Sequence, residues 1–143
     1  MPDAGFSGAC HCGAIGFRYS TSINPEDWSI RACQCGFCRA HDARSTSDPD
    51  GKLQFVASEP SRLHRYRFSL QTADFLLCSN CGVYIGAVIE SDGRRFGIIN
   101  VRALSALPDV GRPVAPISYD GEDRAGRIRR RKERWTPVTV VPW

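Results

Sequence analysis

The chain has 143 residues, of which 42% are hydrophobic, and a formal net charge of +4. This length suits one domain with a core of its own, and no apolar run approaches the roughly 18 residues of a membrane span. Seven cysteines are an odd number, and the first residues lack the basic and apolar stretches of a secretory signal. These features argue against a membrane protein and a disulfide scaffold. They predict one domain over residues 1–143 in the cytoplasm, where thiols stay reduced.

Short strands separated by turns are predicted for the first half of the chain. Thirteen glycines and nine prolines favour a β-rich fold over a helical bundle. Alternating apolar residues or short apolar runs predict strands at residues 14–20, 28–32, 53–57 and 63–69, and residues 75–77 lead into the last cysteine pair. A polar loop is predicted at residues 44–51, before the third of these strands.

The second half of the chain begins with a predicted hairpin. Residues 83–89 and 95–101 are apolar and β-branched, and Ser91-Asp92-Gly93 supplies the turn between them. A proline-rich surface loop is predicted at residues 107–116, a helix at 121–134 and a β-like tail at 135–143. The predicted fold class is therefore mainly β, with few helices.

One segment is strongly basic. Residues 124–134 hold seven Arg or Lys against one Glu. A nucleic-acid patch is one interpretation of such a run. A solvated helix or edge strand is favoured, because no aromatic residues interleave the run to stack on bases. Nucleic acid is accordingly not an expected partner.

The seven cysteines fall in three tight groups. This grouping argues against the interpretation that they are unrelated buried thiols of the core. The groups are Cys10 with Cys12, then Cys33 with Cys35 and Cys38, then Cys78 with Cys81.

The first and third groups have the form of two half-sites for a metal. A glycine follows each pair, at Gly13 and Gly82, and lets the turn adopt a positive φ so that backbone N–H groups point back at the sulfurs. Zinc in a structural site prefers four sulfur or nitrogen ligands in a tetrahedron. We therefore predict one structural zinc held by Cys10, Cys12, Cys78 and Cys81. A thioredoxin-like redox pair is the alternative, but it needs a βαβ context that the sequence does not show.

The middle group offers three ligands. Three protein ligands with an open fourth position are typical of a catalytic zinc. Cys33, Cys35 and Cys38 are therefore the candidate catalytic site. The alternative is a second closed structural site, with His41 as the fourth ligand, because His41 lies three residues after Cys38.

Together these stretches resemble a known family. Gly8-Ala9-Cys10-His11-Cys12-Gly13, Cys33-Gln34-Cys35-Gly36-Phe37-Cys38-Arg39 and Cys78-Ser79-Asn80-Cys81-Gly82 stand in the order and spacing of the glutathione-dependent formaldehyde-activating family, which also includes centromere protein V. The resemblance covers roughly residues 6–105.

The resemblance implies a zinc-held β fold called a β-tent. It also implies the same division of the cysteines into a structural set and a catalytic set. The implied activity is that of a carbon–sulfur lyase acting on a thiol–aldehyde adduct such as S-hydroxymethylglutathione. Its partners would be a small-molecule thiol and an aldehyde, with glutathione as co-substrate. Glutathione carries two carboxylates, so arginines near the cleft, Arg39 among them, could hold it by bidentate pairs.

Two other functions stay open from the sequence. One is a non-enzymatic zinc module that binds a protein or nucleic acid through the basic run. The other is a thiol-based sensor that loses the metal at the three-cysteine group on oxidation.

Overall fold

The structure is a computed structural model, which describes residues 3–106 and 114–143. The first strands and helix are β1 (Ala4–Ala9), β2 (Ile15–Thr21), β3 (Arg31–Cys33), α1 (Gly36–Ala40), β4 (Ser45–Thr46) and β5 (Lys52–Ala57). The others are β6 (Leu63–Tyr66), β7 (Asp74–Cys78), β8 (Tyr84–Ser91), β9 (Arg94–Asn100), β10 (Ala115–Ile117), α2 (Arg124–Arg134) and β11 (Thr136–Val140). Short 3₁₀ turns lie at Pro25–Asp27, Pro60–Arg62 and Val101–Ala103.

The strands of the described chain form one branched sheet. Its main path runs β1-β2-β5-β11-β9-β4-β3-β10, and β8, β7 and β6 branch from β9. Most neighbours are antiparallel, but β11 pairs with β5 in parallel and β10 pairs with β3 in parallel. The path places β3, which ends at Cys33, and the branch strand β7, which ends at Cys78, in the same sheet.

Two buried clusters fill the space that the sheet encloses. One contains Phe17, Trp28 and Phe55 and includes Cys10 and Cys78. The other is built on aromatic residues of β7, β8, β9 and the end of α2, and it includes Cys38. The cysteine groups therefore adjoin the hydrophobic core, so a metal at either site would be tied to core packing.

The predicted fold class is confirmed. The strands predicted at 14–20 and 53–57 are present as β2 and β5, and residues 75–77 lie in β7. The strand predicted at 28–32 is shorter and later, and the one predicted at 63–69 ends at residue 66. The hairpin is β8 and β9, with Asp92 and Gly93 both at positive φ, and the helix predicted at 121–134 is α2.

Five elements were not predicted: β1, α1, β4, β7 and β10. The sequence AGFSGA of β1 has little β propensity, and its strand exists because it pairs along its length with β2. The short β10 begins in the last two residues of the loop predicted at residues 107–116 and ends at Ile117. Residues 107–113 of that loop lie outside the described part.

The prediction of a polar loop at residues 44–51 was wrong in part, because this segment is partly buried and includes β4. Asp48 is 3% exposed. Its carboxylate accepts a hydrogen bond from Thr21 Oγ1 at 2.6 Å, and its N–H donates to Thr136 Oγ1 at 2.8 Å. Asp48 therefore forms hydrogen bonds to β2 and β11 and is not solvated.

Replacing Asp48 with alanine should therefore destabilise the fold. The Thr21 hydroxyl would lose its acceptor inside the core, which costs about 2–3 kcal/mol of unfolding free energy. Urea denaturation of Asp48→Ala against Asp50→Ala, an exposed position in the same loop, measures this. Equal losses in the two variants would contradict the role assigned to Asp48.

Candidate functional site

Four cysteines from two distant turns meet at one point. The sulfurs of Cys10, Cys12, Cys78 and Cys81 all lie within 4.8 Å of one another. Gly13 (φ 82°) and Gly82 (φ 81°) close the two turns with left-handed backbone. In each turn a backbone N–H donates to a sulfur at 3.4 Å, from Ile15 to Cys10 and from Cys81 to Cys78. The sequence-based expectation for these glycines is therefore met, and the turns aim their sulfurs at a common centre.

The spacing of these sulfurs fits a tetrahedral metal. Cys12 Sγ lies 3.7 Å from Cys10 Sγ and 3.6 Å from Cys78 Sγ. A zinc tetrahedron with bonds of about 2.3 Å has sulfur–sulfur edges of about 3.8 Å. The four-cysteine group could therefore hold a metal ion, and its dimensions suit zinc.

Cys10 and Cys12 differ in their readiness to ionise. A hydrogen bond from the Asn80 side chain is the main cause that lowers the pKa of Cys12, to about 6. Burial raises the pKa of Cys10 to about 11. Asn80 was not singled out from the sequence, although its position inside Cys78-Ser79-Asn80-Cys81 places it beside the metal-binding turn. It favours the thiolate that a cation would bind.

The other three cysteines also form a group, at the junction of β3 and α1. The sulfurs of Cys33, Cys35 and Cys38 lie within 4.8 Å of one another. Cys33 ends β3, Cys35 caps the N-terminus of α1, and Cys38 lies within that helix. The Cys38 N–H donates to Cys35 Sγ at 3.4 Å, and the Gln34 N–H donates to the Ile117 carbonyl on β10 at 2.9 Å. The backbone thus presents three sulfurs from one short, well-anchored segment.

The three thiols share protons unequally. Hydrogen bonds from Cys33 and Cys38 hold the pKa of Cys35 far below its usual range. Hydrogen bonds with Cys33 and with Cys35 raise the pKa of Cys38, and the contact with Cys35 raises that of Cys33. Negative charge therefore concentrates on Cys35, and a cation at this group would relieve the competition for protons.

No histidine joins either cysteine group in the described structure. His41 is the C-cap of α1, and its ring packs against Phe37 with 4.5 Å between centroids. The three-cysteine group does not include it, so the structure does not place His41 as a fourth ligand. His11 and His64 are both exposed.

A cavity of about 470 Å³ opens beside the three-cysteine group. All three cysteines line it, as does Arg39. Its apolar lining includes Phe37, whose ring lies 4.9 Å from Phe75 and 5.2 Å from Phe68 between centroids. This volume is within the range of small-molecule sites, so the three sulfurs face a space that a small ligand can enter.

Sequence reasoning missed the opposite wall of the cavity, which α2 supplies. Arg127, Arg130, Arg131 and Trp135 line it. The signal was present, because residues 127, 131 and 135 are spaced by four and share one face of a helix. The basic composition of residues 124–134 instead favoured a solvated helix, so that spacing was not used.

The basic run is consequently divided between two environments. Arg131 is buried, Arg130 pairs with Glu122, and Lys132 pairs with Asp92. Arg129 is exposed and does not line the cavity. The helix prediction for this run is confirmed, but one face of that helix is the wall of a site and not a solvated surface.

Comparison with known proteins agrees with this geometry. Among the helices of the described chain, none has the length and apolar character needed to cross a bilayer. One similar structure is a crystal structure of a Rhodobacter sphaeroides protein from a structural genomics programme. It is 28% identical, with a TM-score of 0.56, and the match covers 77% of this chain and 97% of that one. A family model described as glutathione-dependent formaldehyde-activating enzyme matches residues 5–119, which contain all seven cysteines and stop before α2. The chain therefore belongs to the glutathione-dependent formaldehyde-activating enzyme family.

Proposed function

We propose that the protein is a zinc-dependent carbon–sulfur lyase that acts on a thiol–aldehyde adduct such as S-hydroxymethylglutathione. One observation carries the proposal: three sulfurs within 4.8 Å of one another line a cavity large enough for a small molecule. The four-cysteine group is a structural site by contrast, since it supplies a complete tetrahedron by itself.

The proposed reaction breaks one bond and moves one proton. In the lyase direction the carbon–sulfur bond of the adduct breaks and its electron pair stays on sulfur. The hydroxyl group of the adduct loses its proton and becomes the carbonyl of the aldehyde, and the sulfur regains a proton to give the free thiol. When bound at Cys33, Cys35 and Cys38, zinc supplies a Lewis acid that favours a thiolate over a thiol.

The residues of the chain have distinct tasks in this proposal. Cys33, Cys35 and Cys38 hold the cation at the wall of the cavity. The Phe37, Phe68 and Phe75 rings make the adjoining wall apolar, which limits access of water to the reacting group. Arg39, exposed at the rim, is available to bind a carboxylate of glutathione. The cytoplasm is the proposed location, since seven free cysteines suit a reducing compartment.

The direct test is the rate of exchange between glutathione and its formaldehyde adduct. Protein with both sites loaded should accelerate that exchange, followed by magnetisation transfer in NMR spectra. The control is the same protein with the Cys38→Ser substitution. An unchanged exchange rate with the fully loaded wild type would reject formaldehyde as the aldehyde.

The two metal sites should also differ in how firmly they hold zinc. We expect two zinc ions per chain in metal-replete protein, because two separate cysteine groups are present. Glutathione followed by gel filtration should lower the content toward one, since a competing thiol can reach the three-cysteine group through the cavity. Metal analysis measures both values. Two ions that resist glutathione would indicate a closed second site and contradict the open fourth position.

A further inference from the structure

The cavity beside the three cysteines has an imbalance of charge. Five arginines line it, namely Arg31, Arg39, Arg127, Arg130 and Arg131. Asp120 is the only carboxylate among its described lining residues. Three thiolates with one divalent cation would carry a single net negative charge, so they would not offset this excess.

Two of the five arginines are already paired with a carboxylate. Glu122 accepts from Arg127 Nε at 3.2 Å, and from Arg130 Nε at 2.9 Å and Nη2 at 3.0 Å. Arg130 also lies over the Tyr119 ring, with its Cζ 3.5 Å from the ring centroid. These contacts fix the positions of both guanidinium groups. The single carboxylate of Glu122 offsets part of their combined positive charge.

Arg131 has no such partner. It is 7% exposed, and it forms no ion pair with a carboxylate of the described residues. Its Nη1 donates to Thr72 Oγ1 at 2.7 Å, its Cζ lies 4.7 Å from the Trp135 ring centroid, and its buried Nε has no hydrogen-bond partner. Burial lowers the pKa of Arg131 to about 10. Buried charges in proteins are normally paired. The Arg131 guanidinium therefore lacks an anionic partner among the described residues.

Arg31 has a related environment on the β3 side of the cavity. It is half-buried, two residues before Cys33, and its Nη2 donates to the Ser47 hydroxyl at 2.9 Å. No ion pair to Arg31 is present within residues 3–106 and 114–143. Hydrogen bonds to a hydroxyl do not compensate a charge in that position as a carboxylate would.

We infer that the cavity binds an anionic ligand through a carboxylate, and that Arg131 and Arg31 supply the positive charge that selects it. The inference deepens the proposed function, on which it rests for the identity of the reacting group. For the proposed substrate, Arg131 and Arg31 would bind a carboxylate of the thiol or of its aldehyde adduct. Because α2 lies beyond residues 5–119, Arg131 belongs to a part of this chain that the family model does not cover. Part of the proposed selectivity for a carboxylate therefore depends on a residue outside the segment that the family model matches.

The test is calorimetric titration of metal-replete protein with succinate at physiological salt. Succinamide, which has the same shape without charge, is the matched ligand. Succinate should bind saturably and succinamide should not, and Arg131→Gln should weaken succinate binding by about tenfold or more. Arg129→Gln is the matched variant, since it removes the same charge from the same helix at an exposed position outside the cavity. It should change the affinity less than twofold.

Several results would overturn the inference. These are no saturable succinate binding, equal binding of succinamide, equal effects of Arg129→Gln and Arg131→Gln, or tighter binding of inorganic phosphate than of succinate. If Arg131→Gln fails to fold, Arg31→Gln and Arg131→Lys carry the same test, and both should weaken binding. Succinate has neither thiol nor aldehyde, so its binding does not depend on turnover. Failure of the lyase reaction and failure of the anion site are thus separate outcomes.

Discussion

Replacing Cys78 with serine should leave most of the protein unfolded at room temperature. Cys78 is buried, and its sulfur lies 3.6 Å from Cys12 Sγ, joining the end of β7 to the N-terminal turn. A structural zinc contributes roughly 10–16 kcal/mol in small zinc-binding peptides, and a whole domain is stable by only about 5–15 kcal/mol. Loss of one ligand of four can therefore remove most of the net stability. Far-ultraviolet circular dichroism and metal analysis of the purified variant would show it.

The control for this variant is Ser79→Ala, which changes the next residue of the same turn. Ser79 is exposed, so this substitution should leave the melting temperature and the zinc content unchanged. A Cys78→Ser protein that melts with the wild type and keeps two zinc ions would show that the four-cysteine group is not the structural site.

Replacing Cys38 with serine should abolish the lyase activity while the protein stays folded. A hydroxyl is a poor replacement for a thiolate, so the three-ligand site should lose its zinc and the total should fall from two ions to one. Loss of several kcal/mol of electrostatic stabilisation lowers the exchange rate by a factor on the order of 100 or more. The measurements are the rate of glutathione–adduct exchange and the zinc content of the same sample.

Ala40→Ser is the matched variant for Cys38→Ser. Ala40 lies on α1 but is exposed and does not line the cavity, so the added hydroxyl should have no effect on rate or metal content. Full activity in Cys38→Ser would remove the three-cysteine group from the reaction.

The sequence predicted those strands whose signal is local. In β2, Ile15, Phe17 and Tyr19 alternate toward the core, and the turn at Asp92-Gly93 determines the hairpin by its own chemistry. It could not predict β1 or β4. β1 consists mostly of glycine, alanine and serine, which carry little strand signal, and β4 is only two residues long. These two strands exist because β2 and β9 present open edges to them. The burial of Asp48 has the same origin, since its partners lie 27 and 88 residues away.

The candidate site divides in the same way. Cysteine spacing within each turn is a local pattern, so it was sufficient to predict both cysteine groups that could hold a metal ion. Which side chains face those groups depends on tertiary structure, and α2 reaches the cavity from nearly 90 residues further along the chain. Arg39 could be named because it adjoins Cys38. The spacing of residues 127, 131 and 135 places Arg131 on one helix face, but it does not show that this face meets the cysteines. The pairing of Glu122 with Arg127 and Arg130, which distinguishes occupied from available arginines, is visible only in the folded protein.

The position of β11 has a consequence for how the protein is made. This strand follows every other described strand in the chain, yet it lies between β5 and β9 in the middle of the sheet. A ribosome therefore releases β5 and β9 before the segment that joins them exists, and both present unpaired edges during that interval. All seven cysteines emerge earlier than β11. Metal capture by the four-cysteine group can thus bring the N-terminal turn to β7 before the sheet closes, which shortens the search that this non-local topology would otherwise require.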